Sequence, residues 1–533
     1  MLKRLRIAVS LLFFVGFLLV FLDPWLLLPA GFTEALTWPQ FVPALNRLAG
    51  LGMAAAAGLV FVLVLTLLFG RVYCSGICPL GVWQDLVARL AARKRRPRYK
   101  ARKGYPWLRG AVVAGVFGTA ALYGSTLLGW MDPYSIFGRF LTYLVAPVVF
   151  FIGNLGIGTA NLFGTHFATL PAPPWAWAGA SLAAGLMVVV TGMAAFRGRL
   201  FCNTLCPVGG VLGFLSRYSL FRIQLDGGSC TACTRCHRSC KAECIDATTH
   251  TVDLSRCVAC FNCLDSCPRG GIRYAPFWKK AGAKKRTEEA TAPSASKASR
   301  RAFFGTVGFM IGGTLRSRAQ GRGMGRGRGR GQGGGGWGKP PEEYPVHRPP
   351  LAPPGAGSTD RFTGLCTSCT LCVAACPTQV LQPSTLEYGL RGLFQPRMDF
   401  HAGSCTYECR RCLEVCPTGA LQEFTLEKKK EVQLGVAEFY KHLCIVHEER
   451  TACGACAEHC PTGAVKMVAW RDGLTMPAIE PDICIGCGAC EHACPTEPQR
   501  AILVRPHPVH EKARKPDSGP AVEAPVAPGE FPF

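Results

Sequence analysis

The sequence has no histidine before His166, and its 34 acidic residues are far outnumbered by 59 lysines and arginines. Histidine is the commonest axial ligand of haem, so a bis-histidine b-type haem is excluded from the apolar N-terminal part. No Gly-x-Gly-x-x-Gly stands between a strand and a helix, which leaves a nicotinamide or flavin site without support. A net charge of +25 with a mean hydropathy above zero indicates apolar spans joined by basic loops.

No cysteine stands outside a short motif, although the chain has 29 of them. Twenty-five belong to six clusters, and four form two Cys-x3-Cys-Pro pairs beside apolar stretches. Cysteines two or three positions apart cannot easily form a disulfide with each other. Extracellular disulfide scaffolds are also usually short chains. The cysteine pattern therefore predicts metal or redox sites.

Four stretches are long and apolar enough to cross a bilayer, which takes about 20 residues. They are residues 7–28, 49–70, 110–131 and 175–196. A dense basic run at 93–103 indicates a cytoplasmic anchor rather than a nucleic-acid site. Residues 136–158 are assigned to the outer face, because a fifth crossing would violate the charge rule. We therefore predict four transmembrane helices, with the N-terminus and the chain after the fourth span in the cytoplasm.

Residues 70–79 and 198–207 repeat each other, and each follows a predicted span. The repeat predicts a duplicated helical hairpin with both cysteine pairs at the cytoplasmic face. Four converging thiols could hold a metal or an iron–sulfur unit, or form a redox disulfide. The predicted redox or metal residues at the membrane face are Cys74, Cys78, Cys202 and Cys206. Asp85, just after the first pair, is the one suggestion for a proton acceptor.

The six cysteine clusters follow the spacing that ferredoxins use to hold [4Fe–4S] clusters. The first three cysteines of a motif ligate one cluster, and the fourth reaches the neighbouring one. Six motifs therefore predict six [4Fe–4S] clusters in three two-cluster units. The predicted ligand sets are Cys230, Cys233, Cys236 and Cys267; Cys257, Cys260, Cys263 and Cys240; Cys366, Cys369, Cys372 and Cys416; Cys405, Cys409, Cys412 and Cys376; Cys444, Cys453, Cys456 and Cys494; and Cys484, Cys487, Cys490 and Cys460.

Three features complicate this pattern. Zinc is the chief rival metal, but zinc ribbons separate two Cys-x2-Cys pairs by a longer loop. Cys233 to His237 matches the haem-attachment signature Cys-x-x-Cys-His, yet both thiols are already needed for a cluster. In the first motif Lys241 replaces the usual proline and Cys244 follows, so Cys240 and Cys244 both remain candidates for the fourth ligand.

These features predict a mixed fold, an α-helical membrane domain plus three bacterial two-[4Fe–4S] ferredoxin-like α+β units. Low-complexity glycine, arginine and proline between the cluster regions indicates a linker rather than an RNA-binding tract. The Pro/Ala-rich end of the chain predicts disorder. The predicted domains are 1–222, the membrane domain; 223–275, a two-cluster ferredoxin; 276–357, the linker; 358–505, a four-cluster ferredoxin; and 506–533, a disordered tail.

With these motifs, residues 1–275 resemble the NapH-type membrane quinol dehydrogenase component of periplasmic nitrate reduction. Residues 358–505 resemble the NapG-type four-cluster ferredoxin, including its uneven second and third motifs. A segment with Arg300 and Arg301 resembles a twin-arginine export signal. The resemblance implies the bacterial inner membrane, quinol from the membrane quinone pool as substrate, and a periplasmic reductase or multihaem cytochrome as partner. The side of the membrane that holds the C-terminal domain stays open.

The leading hypothesis is a multi-pass electron-transfer protein that passes electrons from quinol through six clusters to a partner reductase. Whether the chain is itself a quinol dehydrogenase subunit is left open, and no catalytic residue is assigned. One alternative is an assembly factor that reduces a metal or thiol centre of a respiratory enzyme. Another is a membrane redox sensor. Neither accounts as well for six clusters.

Overall fold

The structure is a computed structural model. It describes residues 1–23, 27–94, 99, 104–164, 166–170, 176–279 and 349–515. The linker 280–348, with its twin-arginine-like segment, lies outside the described residues. The chain divides into two compact units. The first comprises Met1–Gly331, Ala352–Ala402 and Arg410–Phe424, and the second comprises Gln332–Leu351, Gly403–Cys409 and Thr425–Phe533.

Helices build the N-terminal part of the first unit. They are α1 (Leu2–Phe21), α2 (Ala30–Thr37), α3 (Phe41–Leu51), α4 (Ala57–Phe69), α5 (Val72–Gly76), α6 (Pro79–Lys94), α7 (Pro106–Tyr123), α8 (Thr126–Met131), α9 (Pro133–Phe140), α10 (Ala146–Asn161), α11 (Trp177–Arg197), α12 (Leu200–Thr204) and α13 (Pro207–Leu215). Three described helical stretches are long and apolar enough to cross a membrane: α1, Pro133–Asn161 and α11. The shorter α4 is also apolar.

Two of the four predicted spans are not single helices. The stretch 49–70 breaks at Gly52, and the stretch 110–131 breaks at Gly124. Both glycines have positive φ angles, 87° and 92°, which only glycine adopts readily and which ends a helix. The hydropathy of these stretches does not reveal the breaks, because the residues on both sides remain apolar.

The stretch 136–158, for which the charge rule predicts a place on the outer face, forms part of one long helical run. A π-helical turn, Leu141–Val145, joins α9 to α10, and the 29 residues Pro133–Asn161 have the length and composition of a membrane span. Tyr143, in the joining turn, packs against Ala180 and Ala183 near the start of α11.

The sequence after α13 forms a small α+β domain. Its elements are β1 (Phe221–Leu225), α14 (Arg235–Ser239), β2 (Ile245–Asp246), β3 (Thr251–Val252), α15 (Asn262–Ser266) and β4 (Ile272–Pro276). Strands β1 and β4 pair antiparallel, with Phe221 opposite Pro276 and Leu225 opposite Ile272. Strands β2 and β3 form a second antiparallel pair. Because the outer strands enclose both cysteine motifs, the chain brings the two motifs together.

The first unit also contains part of the C-terminal cysteine region. Its elements are α16 (Thr359–Leu365), α17 (Leu371–Ala374), β5 (Leu381–Pro383), β6 (Pro396–Met398) and α18 (Arg411–Glu414). The two units therefore divide the stretch 358–505, which the cysteine motifs predict to be one domain. The physical reason is that α16 and the loop after it pack on the N-terminal helices; for example, the amide of Asn46 donates to the Leu365 carbonyl at 2.8 Å.

The second unit repeats the two-hairpin plan. Its elements are α19 (Leu426–Lys430), β7 (Val432–Phe439), α20 (Ile445–Glu448), α21 (Ala455–Glu458), β8 (Val465–Ala469), β9 (Thr475–Ile479), α22 (Ala489–Ala493) and β10 (Ile502–Lys512). Strand β10 pairs antiparallel with β7. The prediction of disorder from residue 506 is wrong at its start, because β10 continues to Lys512, which lies opposite Val432. Residues 516–533 lie outside the described part.

Candidate iron–sulfur sites and the membrane cysteines

The four motifs with regular Cys-x2-Cys-x2-Cys spacing share one loop conformation. In each loop the residues two and four positions after the first cysteine have positive φ angles. They are Ala232 and Thr234, Ala259 and Phe261, Ser368 and Thr370, and Gly486 and Gly488. Such alternation curls the backbone so that successive N–H groups point into a concavity, which suits the sulfurs of an anionic cluster. Six of these eight residues are not glycine, so the surrounding fold maintains a costly conformation.

Backbone donors reach the cysteine sulfurs in these loops. The Ser368 N–H donates to Cys366, and the Leu371 N–H donates to Cys369. Burial raises the pKa of Cys366 and Cys369, and these backbone donors oppose that rise. A buried thiolate therefore needs more positive charge than the loop provides, which a bound iron cluster supplies. The donor set fits an iron–sulfur cluster.

The first pair of motifs forms two separate cysteine groups. Cys230, Cys233, Cys236 and Cys267 line one cavity. A second cavity is lined by five cysteines, Cys240, Cys244, Cys257, Cys260 and Cys263. The structure thus brings together both predicted sets, with Cys244 added to the second. Cys244 Sγ lies 3.5 Å from Cys240 Sγ and is also within hydrogen-bonding reach of Cys257, so both candidates for the fourth position remain.

The later motifs form three further groups. Cys416 is close enough to Cys366, Cys369 and Cys372 for its charge to raise the pKa of each of them, in addition to the larger effect of burial. In the second unit, Cys444, Cys453, Cys456 and Cys494 line one cavity. Also in the second unit, Cys460 is close enough to Cys484, Cys487 and Cys490 for its charge to raise the pKa of each of them, in addition to the larger effect of burial.

The remaining predicted set stays a prediction. Its members are divided between the units, with Cys405 and Cys409 in the second and Cys412 and Cys376 in the first. No three His, Cys, Asp or Glu side chains among the described residues are spaced to hold a single metal ion.

The membrane repeat folds into two matching helical turns. Cys74 and Cys202 lie within the short helices α5 and α12, while Cys78 and Cys206 immediately precede Pro79 and Pro207, which begin α6 and α13. Proline is favoured at a first helical position because it lacks the N–H that would be unsatisfied there. Cysteine before it acts as the helix cap: the Gly209 N–H donates to Cys206 Sγ at 3.2 Å, and the Gly81 N–H donates to Cys78.

Two fully buried arginines complete this symmetry. Arg71 Nη2 lies 3.7 Å from Cys74 Sγ and donates to the Cys202 carbonyl at 3.1 Å. Arg199 Nη1 lies 3.9 Å from Cys202 Sγ and donates to the Cys74 carbonyl at 2.8 Å. Each arginine therefore contacts the sulfur of its own half and the backbone of the other half. Both arginines were visible in the repeated Gly-Arg of the sequence, but their role depends on the contact between the halves.

Asp85 joins three parts of the first unit. Its carboxylate forms ion pairs with Arg6 at 2.8 Å, Arg199 at 3.0 Å and Lys241 at 3.5 Å. Burial alone would raise the pKa of Asp85, but the three cations outweigh it and hold the pKa well below its usual range. The carboxylate is therefore a fixed anion, and the suggestion that it accepts a proton is wrong. Lys241, which replaces the usual proline, contributes to this network.

Helices α1 and α7 each contact the first ferredoxin domain near their start and the C-terminal cysteine region near their end. At its start, α1 contacts the first ferredoxin domain through Lys3 and Asp265 at 2.7 Å, and at its end Phe21 packs with Cys369 and Leu371. At the start of α7, Arg109 donates to the Ser255 carbonyl at 2.9 Å, whereas the Ser125 hydroxyl beyond its end donates to the Gly364 carbonyl at 2.7 Å. These helices have 20 and 18 residues, or about 30 and 27 Å.

The contact between the N-terminal helices and the loop 366–372 is polar and buried. Arg139, fully buried in α9, donates to the carbonyls of Ser368, Gly129 and Trp130. The Thr370 hydroxyl donates to that of Thr142 at 2.9 Å. Because the Nη atoms of this buried guanidinium donate to backbone carbonyls of both segments, they indicate a specific docking of the loop 366–372 on α9.

One further cavity, of about 440 Å³, borders the membrane repeat and the first ferredoxin domain. Its lining includes Tyr105, Arg109, Asn203 and Cys244. Asn203 follows Cys202 and accepts from Arg71 at 2.8 Å, while Cys244 also lines the second cluster cavity. The volume is within the range typical of small-molecule sites.

Four ranges of the chain match models of two known protein families. Residues 51–98 and 180–225 match the family described as 4Fe-4S binding domain, and residues 365–420 and 449–497 match the 4Fe-4S dicluster domain. The first two ranges contain the two halves of the membrane repeat. No solved structure matches the chain.

Several curated proteins are similar to the chain. An uncharacterised protein of Methanocaldococcus jannaschii is 34% identical over 79 residues, which cover 15% of this chain and 31% of that protein. The ferredoxin-type protein NapH of Escherichia coli is 25% identical over 239 residues, 43% of this chain and 70% of NapH. The methylamine utilization ferredoxin-type protein MauN of Paracoccus denitrificans is 27% identical over 221 residues, 41% of this chain and 60% of MauN. The chain therefore contains 4Fe-4S binding domains and is similar, over less than half of its length, to the ferredoxin-type proteins NapH and MauN. It spans less than two thirds of the length of the Methanocaldococcus protein and of MauN.

Proposed function

We propose that this protein takes electrons from membrane quinol and passes them through six [4Fe–4S] clusters to a partner reductase on the opposite side of the membrane. The observation that carries the proposal is the attachment of cysteine regions at both ends of α1 and α7. A redox chain that only served one side would not need this arrangement. The partner is a periplasmic reductase or a multihaem cytochrome, by resemblance to NapH and NapG.

The ligand sets are those given by the motif spacing. Support for five of them comes from the shared cavities and electrostatic proximity of their thiols. When bound, the clusters supply one-electron carriers. The protein supplies the thiolates, the backbone N–H donors to sulfur, and burial, which together set the reduction potential.

The cavity beside Cys244 is the proposed quinol site. A quinol loses two electrons and two protons when it becomes quinone, and the electrons pass singly to the iron–sulfur clusters. Tyr105 offers its hydroxyl to the head group, while Arg109 and Asn203, which hydrogen-bond to Ser255 and Arg71, form part of the wall. Cys244 lies in the wall shared with the second cluster cavity. Asp85 is held as an anion by its three cations, so the carboxylates that line this cavity, Glu243, Asp246 and Asp253, are the groups placed to receive the protons.

Mixing the purified protein with quinol should reduce its clusters. The reduction is detected by visible absorbance and by electron paramagnetic resonance. Replacing Thr251, in the cavity wall, by tryptophan (Thr251→Trp) should raise the quinol concentration needed for half-maximal rate by roughly tenfold, or about 1.4 kcal/mol of binding. Thr249→Trp is the matched control, since its hydroxyl shares a 2.8 Å hydrogen bond with that of Thr251 but Thr249 does not line the cavity. Wild-type clusters that dithionite reduces and quinol does not would refute the proposal.

The proposed topology has its own test. The basic run 93–103 precedes the start of α7, at the end that holds the first ferredoxin domain, and positive loops favour the cytoplasm. We expect a reporter fused after Trp278 to be active only in its cytoplasmic form. A reporter fused after Phe533 should be active only in its periplasmic form. The same side for both reporters would contradict transfer across the membrane.

A further inference from the structure

The surroundings of the four membrane cysteines carry an excess of positive charge. Arg6, Arg71, Arg199 and Lys241 are all at most 7% exposed, and Asp85 is the carboxylate that pairs with three of them. Among the described residues Arg71 has no carboxylate partner. Its donors reach Asn203 Oδ1, two backbone carbonyls and Cys74 Sγ. Buried cations are stable only when an anion or several strong acceptors compensate them.

The sulfurs are the acceptors placed to provide that compensation. Each of the four has a donor: Arg71 for Cys74, the Gly81 N–H for Cys78, Arg199 for Cys202 and the Gly209 N–H for Cys206. Cys202 Sγ also lies 3.4 Å from Gln84 Oε1, to which the protonated thiol would donate. Side chains added at Gly81 and Gly209 would clash with the guanidinium of the other half, at 2.7 and 2.9 Å. Donors directed at every sulfur are typical of thiolates that ligate a metal or cluster.

We propose that Cys74, Cys78, Cys202 and Cys206 together hold one further iron–sulfur cluster, which bridges the two halves of the membrane repeat. Arg71 already donates to three oxygen acceptors, but a neutral disulfide would leave it without an anion, whereas thiolates around a cluster carry negative charge. Soft thiolate sets select iron–sulfur clusters or zinc. The match of both halves to a 4Fe-4S binding family favours iron.

This cluster is the first carrier of the proposed electron path, and only in that role does it depend on the proposed function. Arg71 links it to the first ferredoxin domain, because the same guanidinium contacts Cys74 Sγ and the Ser255 carbonyl. Asn203, which Arg71 also contacts, lines the proposed quinol cavity. Through Arg71 the centre is thus connected to both the proposed quinol cavity and the first ferredoxin domain.

The test is the iron and acid-labile sulfide content of the full-length protein, reconstituted without oxygen and compared with the double variant Cys74→Ala/Cys202→Ala. Six cubane clusters account for about 24 irons, so the wild type should contain about 26 or 28, depending on cluster type. The variant should lose about two or four irons and as many sulfides, while the ferredoxin resonance signals persist. Ser75→Ala is the matched control, because Ser75 is a buried neighbour of Cys74 whose hydroxyl bonds only locally, to the Val72 carbonyl at 3.2 Å.

Two results would overturn the inference. One is a wild-type count of about 24 irons with none lost in the variant; the other is zinc in the wild type that the variant lacks. If the double variant fails to fold, the single variants Cys74→Ser and Cys206→Ser, compared with the wild type in the same assay, decide the matter. Failure here is distinct from failure of the proposed function, since quinol could reduce a protein with six clusters, and a protein with seven could fail to react with quinol.

Discussion

The variant Asp85→Asn is expected to lose about 3–5 kcal/mol of stability, because it leaves three buried cations without their shared anion. Arg6, Arg199 and Lys241 belong to the first helix, the second half of the repeat and the first ferredoxin domain. Their mutual repulsion should separate these parts. The measurement is the free energy of unfolding of the detergent-solubilised protein, with limited proteolysis near residue 226 as a report on domain undocking.

The control for Asp85→Asn is Asp265→Asn. Asp265 also joins α1 to the ferredoxin domain, through Lys3 at 2.7 Å, but its side chain is 58% exposed. Solvent screens exposed pairs, so this change should leave the unfolding transition in place. Equal effects of the two variants would show that the network around Asp85 is not a structural hub.

The pH dependence of this network follows from the same contacts. The pKa of Asp85 is lower in the folded state than in the unfolded chain, so its contribution is fully present above the unfolded value, about 3.9. That contribution is lost only as the pH falls through the lower, folded value. The attachment should therefore be constant from pH 5 to pH 8, as followed by the same proteolysis. Loss of attachment near pH 6 would mean that another group controls it.

Gly129→Val is expected to release the loop 366–372 from the helices of the first unit. A Cβ at Gly129 would lie 2.7 Å from Thr367 Cα and 2.8 Å from its carbonyl carbon, and backbone cannot yield as a flexible side chain does. Overpacking of this kind costs about 1–3 kcal/mol. That energy corresponds to about a 5- to 150-fold change in the docking equilibrium, and the rate at which quinol reduces the clusters in the C-terminal region should fall by up to the same factor. The rate of reduction of the first ferredoxin domain should not change. Rapid-mixing absorbance and freeze-quench resonance separate the two.

Gly118→Val provides the matched control for this variant. Gly118 lies in α7, within the same unit, and a Cβ there meets nothing within 4 Å. The substitution adds the same side chain without the clash, so both rates should equal those of the wild type. If Gly129→Val also left both rates unchanged, electrons would not depend on docking at this surface.

The cysteine motifs are recognisable from the amino-acid sequence, because cluster ligation depends on a short, regular spacing of cysteines along the chain. The positive φ angles of residues such as Thr234 and Phe261 are not recognisable from the sequence. Residues other than glycine adopt this backbone conformation only when the surrounding fold maintains it. The choice between Cys240 and Cys244 is open for a related reason. Both thiols lie at the same cavity, and spacing alone does not separate them.

Hydropathy does not predict the two breaks in the helices. Gly52 and Gly124 lie inside uniformly apolar stretches, and their positive φ angles depend on what the following residues contact. At Gly124 the following residue is Ser125, whose N–H and hydroxyl both bond to the Gly364 carbonyl. A contact between residues separated by more than 200 positions leaves no periodic signal in either segment.

The sequence alone was sufficient to identify the iron–sulfur chemistry, the apolar N-terminal part and the paired membrane cysteines, because each depends on residue type and short-range order. Tertiary structure alone decided that Asp85 is a fixed anion, that Arg71 and Arg199 each contact both halves of the repeat, and that cysteine regions attach to both ends of α1 and α7. These properties arise from distant residues brought within a few ångströms. Their energies depend on burial and on the charges nearby, which the order of residues along the chain does not specify.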